Sequence, residues 1–141
     1  MRAVLDTNVI ISATISRTGP PAQIIRAWID GEFELVVSDR LLSEIWRSLG
    51  YSKIAKRVDA AEANELIEVL ERNATLIADP TEPPAVSSRD HADDFLISLA
   101  ETASALVVSG DGDLLQLSGQ IPVMSPLQFI ETLQQAKQSG R

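Results

Sequence analysis

Six acidic residues stand where an α/β chain sets up chemistry. Asp6 directly follows the apolar run Ala3-Val4-Leu5, and Asp111 and Asp113 follow Val107-Val108 across Ser109-Gly110. Asp93 and Asp94 form a pair ahead of Phe95-Leu96-Ile97, and Glu44 lies inside Leu41-Leu42-Ser43-Glu44-Ile45-Trp46. Carboxylates gathered within a few ångströms raise one another's pKa, and a bound cation removes that penalty. The 141-residue chain has no cysteine and one histidine, which excludes disulfide frameworks, thiolate catalysis and thiolate zinc sites. Oxygen-only ligands select hard ions such as Mg2+ or Mn2+, which activate water and clamp a phosphodiester for in-line attack. The formal net charge of −8 fits such a surplus of ligands, and two divalent ions would halve it. It also argues against a protein that coats DNA through a broad basic face.

Short β-rich runs alternating with longer helical patterns predict βαβ units, a parallel sheet and helices on both of its faces. Strands are expected at Ala3–Leu5, Phe33–Val37, Ala74–Ala78, Ala105–Val108 and Ile121–Met124. Thr7 and Asn8 are natural starters for a first helix. Gly19-Pro20-Pro21 breaks the chain, with Pro21 placed to open a helix through Trp28. Ser38 and Asp39 can cap a third helix whose apolar stripe reads Leu41, Leu42, Ile45, Trp46 and Leu49. Further helices are predicted from about Asp59 to Arg72 and from Asp93 to Ala103. Ser125-Pro126-Leu127-Gln128 reads as a capping box opening a last helix, fraying into the tail from about residue 134. Residues 79–90, rich in Pro and Ser, form a long loop of the kind that is often functional. Length and composition predict one domain over residues 1–141.

These elements decide which acids can meet. Open α/β sheets bind ligands beyond the carboxyl ends of the strands, where the chain reverses direction. Asp6 follows strand one and Asp111 and Asp113 follow strand four, so two strands deliver acids to one edge. Asp93 and Asp94, at the start of the helix leading into strand four, can reach it. Glu44 lies about 60° from Leu41 around its helix, on the flank of the buried stripe, and can point along that edge.

Taken together, VLDTNVI, the Glu of LLSEIW, RDHADDFLISLA and VVSGDGDLL resemble the PIN-domain family of metal-dependent ribonucleases, and among them the VapC-like toxins of bacterial toxin–antitoxin pairs. The resemblance covers roughly residues 2–133, with the motifs in the family's order. It implies a three-layer α/β/α sandwich around a mostly parallel sheet of four to five strands. It places the family's acids on Asp6, Glu44, Asp93 and Asp111 as catalytic residues, with Asp94 and Asp113 as further metal ligands. Thr7, Asn8 and Ser109 match the small polar positions that orient ligands or water. The activity implied is Mg2+-dependent cleavage of single-stranded RNA, with Mn2+ as a substitute ion and one or two ions per site. An antitoxin partner and a homodimer go with it. Separately, MRAVLDTN lacks a charged region followed by a long apolar stretch and no segment has the length and apolarity of a membrane span, which predicts a cytoplasmic location.

Each residue also has a plainer reading. Asp6 can be a helix cap, Glu44 a solvated helix residue, one of Asp93 and Asp94 a dipole-stabilising acid, and Asp111-Gly112-Asp113 an acidic turn. His91 reads as a loop residue, and Trp28 and Trp46 as core or dimer surface rather than base-stacking platforms. Arg17, Lys53, Lys56, Arg57 and Arg89 are the candidate RNA-phosphate contacts, with Lys53–Arg57 the best cluster. Two other functions compete. A catalytically silent PIN fold retained for binding would keep the acids as an interaction surface. A haloacid-dehalogenase-like phosphatase also uses an Asp after strand one, but it needs a second Asp where this chain has Asn8, and a lysine that does not stand out here.

Overall fold

The computed structural model describes residues 1–50, 56 and 59–139. Five short strands, β1 (Arg2–Leu5), β2 (Glu34–Val37), β3 (Thr75–Leu76), β4 (Leu106–Val108) and β5 (Val123–Met124), pair in the order β3-β2-β1-β4-β5. Every pairing is parallel, with Ala3 opposite Leu35 on one side and Leu106 on the other. Ala3, Val4 and Leu5 are completely buried, as a central strand covered on both faces requires. From β1 the chain builds outward through β2 to β3, then crosses back to place β4 on the other flank of β1. The direction therefore reverses between β1 and β4, which makes the carboxyl ends of those two strands the crevice of the sheet.

The helices are α1 (Thr7–Ile15), α2 (Pro20–Ile29), α3 (Asp39–Leu49), α4 (Ala60–Asn73), α5 (Asp94–Ala103), α6 (Gly112–Leu115) and α7 (Pro126–Ser139), with a 3-10 turn at His91–Asp93 leading into α5. α2 packs on α1 and α7, α1 packs on α3, and α5 lies against β1 and β4. Right-handed crossovers put α5 on the face of the sheet opposite α1 and α2. The core is continuous from α2 to α7, where Phe33 and Phe129 meet edge to face with ring centroids 5.0 Å apart. The capping box forms as its residues predict: the Ser125 N–H donates to Gln128 Oε1 at 2.9 Å and the Gln128 N–H to Ser125 Oγ at 3.2 Å. The last helix continues through Ser139, beyond the residue 134 where fraying is expected, and Lys137 pairs with Glu32 at 3.0 Å. Among the described residues no helix is long and apolar enough to cross a membrane.

Three local expectations are corrected. The first helix is capped by Asp6 rather than by Thr7 or Asn8. Trp46, placed on the buried stripe by periodicity, is 58% exposed, because Leu41, Ile45 and Leu49 already fill the contact between α3 and the core. At Asp111-Gly112-Asp113, where the plainer expectation is an acidic turn, Gly112–Leu115 forms one helical turn that Asp111 caps.

Candidate functional site

Asp6 emerges from β1 and is fixed by both neighbours of that strand's end. Its N–H donates to the carbonyl of Val108, so the ends of β1 and β4 are tied together at 2.9 Å. Its Oδ1 accepts the N–H of Asn8 at 3.4 Å, and its Oδ2 accepts the hydroxyl of Ser109 at 2.7 Å. Ser109 is completely buried and acts twice, since its Oγ also accepts the Asp111 N–H at 3.0 Å. One hydroxyl thus sets the spacing between the acid after β1 and the acid after β4. Asp111 in turn accepts the Asp113 N–H on Oδ1 at 3.2 Å as it caps α6. The capping and functional readings of Asp6 and Asp111 are therefore compatible: each spends Oδ1 on a helix start.

Asp93 comes to the same place from the opposite face, at the end of the 3-10 turn. It is half-buried, and its Oδ2 is buried without a hydrogen-bond partner. Burial first, then the adjoining Asp111 carboxyl, then the charges of Asp6 and Asp90 push its pKa up from the ordinary 3.8 to about 7. Its neighbour Asp94 is turned to other work. The Ser88 N–H donates to Oδ1 at 2.9 Å and His91 Nδ1 lies 3.1 Å from Oδ2. Burial pulls the Asp94 pKa upward, but the Ser88 N–H and His91 outweigh it and hold the carboxylate below its ordinary value. His91 is itself 84% exposed.

A cleft of about 630 Å3 opens in front of these residues, walled by Asp6, Thr7 and Asn8 on one side, Asp93 and Phe95 on another, and Glu44 and Arg47 from α3. Glu44 therefore faces Asp6 and Asp93, as its flank position predicts. Asp111 stands behind Asp93 and, like Asp113 and Asp94, is not among the residues lining the cleft. Two cations that periodicity did not single out flank Glu44 on its own helix. Arg40 Nε is 3.7 Å from Glu44 Oε1, and the Arg40 guanidinium lies 4.0 Å above the ring of Phe95, a cation–π contact. Arg47 reaches the cleft mouth. Their signal was their spacing, four residues before Glu44 and three after it. Of the other basic residues, Arg17 pairs with Glu62, and Lys56 and Arg89 are exposed. Lys53 and Arg57 lie outside the described residues.

The donor set suits a hard divalent cation: every available ligand is oxygen, one buried carboxylate oxygen has no partner, and the crowding of negative charge that raises Asp93 is what a cation would reverse. The fit is one of chemistry rather than of a finished cage. Among the described residues, no three His, Asp or Glu side chains are already gathered in ligating geometry.

The comparisons with known proteins give the family through a family model and the fold through solved structures. The PIN domain family model matches residues 2–113. The chain is 27% identical to the uncharacterized protein MJ1680 of Methanocaldococcus jannaschii, over 93% of this chain and 90% of that protein. The crystal structure of PAE2754 from Pyrobaculum aerophilum has a similar fold, with a TM-score of 0.62 at 15% identity over 94% of this chain and 89% of that one. So does FitAB, solved bound to an IR36 DNA fragment, with a TM-score of 0.51 at 18% identity over 88% of this chain and 94% of that one. With the match spanning β1, all the acids discussed and the crevice between β1 and β4, the chain belongs to the PIN domain family, whose members are in general nucleases.

Proposed function

We propose that this protein is a metal-dependent endoribonuclease that cleaves single-stranded RNA, acting as the toxin of a toxin–antitoxin pair. The observation that carries the nuclease reading is the approach of Asp93 to Asp6 and Asp111 at the β1–β4 crevice, where Ser109 bonds to Asp6 and Asp111 and Glu44 lines the same cleft as Asp6 and Asp93. Asp6, Glu44, Asp93 and Asp111 would hold Mg2+ or Mn2+, with Asp113 at the edge of the group. Asp94, occupied by Ser88 and His91, serves better as the anchor that fixes the turn presenting Asp93. A divalent ion bound there supplies the positive charge that makes water a nucleophile near neutral pH and offsets charge building on the phosphodiester.

The chain's own residues do the rest. Ser109 keeps Asp6 and Asp111 in register, Thr7 and Asn8 line the cleft where substrate oxygens would lie, and Arg40 and Arg47 oppose the phosphate charge that the acids repel. The FitAB neighbour is bound to a DNA fragment, so a chain of this fold is found within a nucleic-acid complex. The toxin role, an antitoxin covering the cleft and homodimerisation follow from the sequence resemblance and are part of the proposal.

The test is cleavage of a mixed single-stranded RNA pool with Mg2+, with Mn2+ and with EDTA, beside Asp6→Asn protein from the same preparation. Metal-dependent cutting that the variant lacks is the expected result. Equal cutting by both proteins would expose a contaminating nuclease. The second reading, a silent PIN fold used for binding, is favoured by the absence of a ready-made cage among the described residues. It predicts RNA or protein binding without cutting in any metal.

A further inference from the structure

The cleft in front of the acids is not the largest on the surface. A groove of about 940 Å3 lies on the other flank of α3, between that helix, α4 and β3, with Trp46 on its wall. Trp46 is 58% exposed and, among the described residues, is the one exposed Trp, Tyr or Phe. Arg47 lines this groove and also the acid cleft, so the two depressions meet over the crest of α3. That crest carries Arg40, Ser43, Trp46 and Arg47, all exposed, at the spacing that lines up one helix face. The opposite face carries the buried Leu41, Ile45 and Leu49.

We propose that this outer stripe of α3 is a binding track for single-stranded RNA, in which Arg47 holds a phosphate leaving the acid cleft and a base stacks on Trp46 beyond it. The identity of the strand rests on the nuclease reading; the track rests on α3 itself. Single-strand sites combine cationic side chains that follow the backbone with aromatic faces on which bases stack without sequence preference. This stripe has both, in a chain whose net charge is −8. Glu71 of α4 and Asp39, two turns before Arg47 on α3 itself, also line the groove and repel a phosphate, which leaves the Arg47 end as its favourable position. A protein partner could use Trp46 as an apolar anchor. It would have no need of a cation shared with the acid cleft, and that sharing is what favours a strand running through both.

The test uses the full chain in EDTA, so that binding is read without cutting, and a short fluorescein-labelled oligouridylate as the probe. Trp28 is 7% exposed, so quenching of tryptophan emission on RNA addition reports Trp46. Trp46→Ala is expected to abolish the quench and weaken binding roughly 5- to 150-fold, the range of one base–aromatic stack, with Trp46→Phe in between. Arg47→Gln is expected to lower the slope of log affinity against log salt by about 0.7, one phosphate on a single strand. Cleavage by the wild type in Mg2+ is measured in parallel. Cleavage together with equal affinity and equal salt slope in all the proteins refutes the track and leaves the nuclease reading standing. Trp46-dependent binding without cleavage supports the track and removes the nuclease reading. A wild type that neither binds nor cleaves removes both. If Trp46→Ala instead halves the mass seen by light scattering while RNA affinity holds, the groove belongs to a second copy of the chain and the track is wrong.

Discussion

Replacing Asp93 by Asn separates stability from chemistry in this fold. Asp93 carries a pKa of about 7 against an ordinary 3.8, because burial and the Asp111, Asp6 and Asp90 carboxylates oppose its ionisation. A folded-state pKa above the unfolded one means that the native state binds more protons between those values. The group therefore subtracts stability progressively as pH rises from about 4 to about 7, and the loss is complete above that. Carried in full, the displacement corresponds to roughly 4 kcal/mol. The carboxyl is only half-buried, and solvent screening reduces this to about 1–2 kcal/mol. The neutral isostere Asn escapes the penalty. In EDTA, Asp93→Asn is expected to unfold roughly 3–8 °C above the wild type at pH 8, with the gap closing towards pH 4. Mg2+ should then stabilise the wild type more than the variant. Thermal unfolding followed by circular dichroism at a series of pH values is sufficient. Parallel curves for the two proteins, or an Asn variant that is less stable at pH 8, would refute the reasoning that Asp93 sits in a crowd of uncompensated negative charge.

Ser109→Ala removes the hydroxyl shared by Asp6 and Asp111 at a fully buried position, and urea unfolding is expected to show a loss of about 1–3 kcal/mol. Arg40→Gln frees Glu44 and removes a positive charge from the cleft rim; titrating the thermal midpoint with Mg2+ should show binding tightened about 3- to 10-fold at low salt. Ser104 closes α5 in the left-handed region at φ 53°, where a Cβ is unfavourable, so Ser104→Gly should raise stability by about 1 kcal/mol, or about 3–5 °C.

Much of the architecture was legible because it rests on short-range signals. The apolar runs became the five strands, Pro126 opened the last helix, the Gly19-Pro20-Pro21 break opened one at Pro20 rather than at Pro21, and Ser38 and the Ser125–Gln128 box capped theirs. The order of the acids along the chain and the topology of a parallel sheet were enough to bring Asp6 and Asp111 to one edge. What stayed hidden depended on competition between neighbours. Asp93 and Asp94 are adjacent acids at one helix start, and only the folded path of the 79–90 loop, which delivers the Ser88 N–H, decides which of them is occupied. Trp46 fits a helical stripe as well as Leu49 does; its exposure follows from how much of α3 the core has room to cover. Arg40 and Arg47 are not singled out by the sequence, and only Phe95 and the cleft beside them give them their place. Ser109 was recognised as a small polar position, but its simultaneous donation and acceptance could be seen only with both acids in place.

The central position of β1 has a consequence for the order of events during synthesis. Its two flanking strands come from distant parts of the chain, and the Ser109 to Asp6 hydrogen bond spans 103 residues. Contacts at such separation form late, after local helices and the β1–β2 unit, because loop closure must be paid before they contribute. A ribosome-bound chain that has not yet exposed β4 has Asp6 but lacks both Ser109 and Asp111. The group of acids is therefore assembled only when the last third of the polypeptide arrives, and a truncated product would carry the fold's beginning without its chemistry.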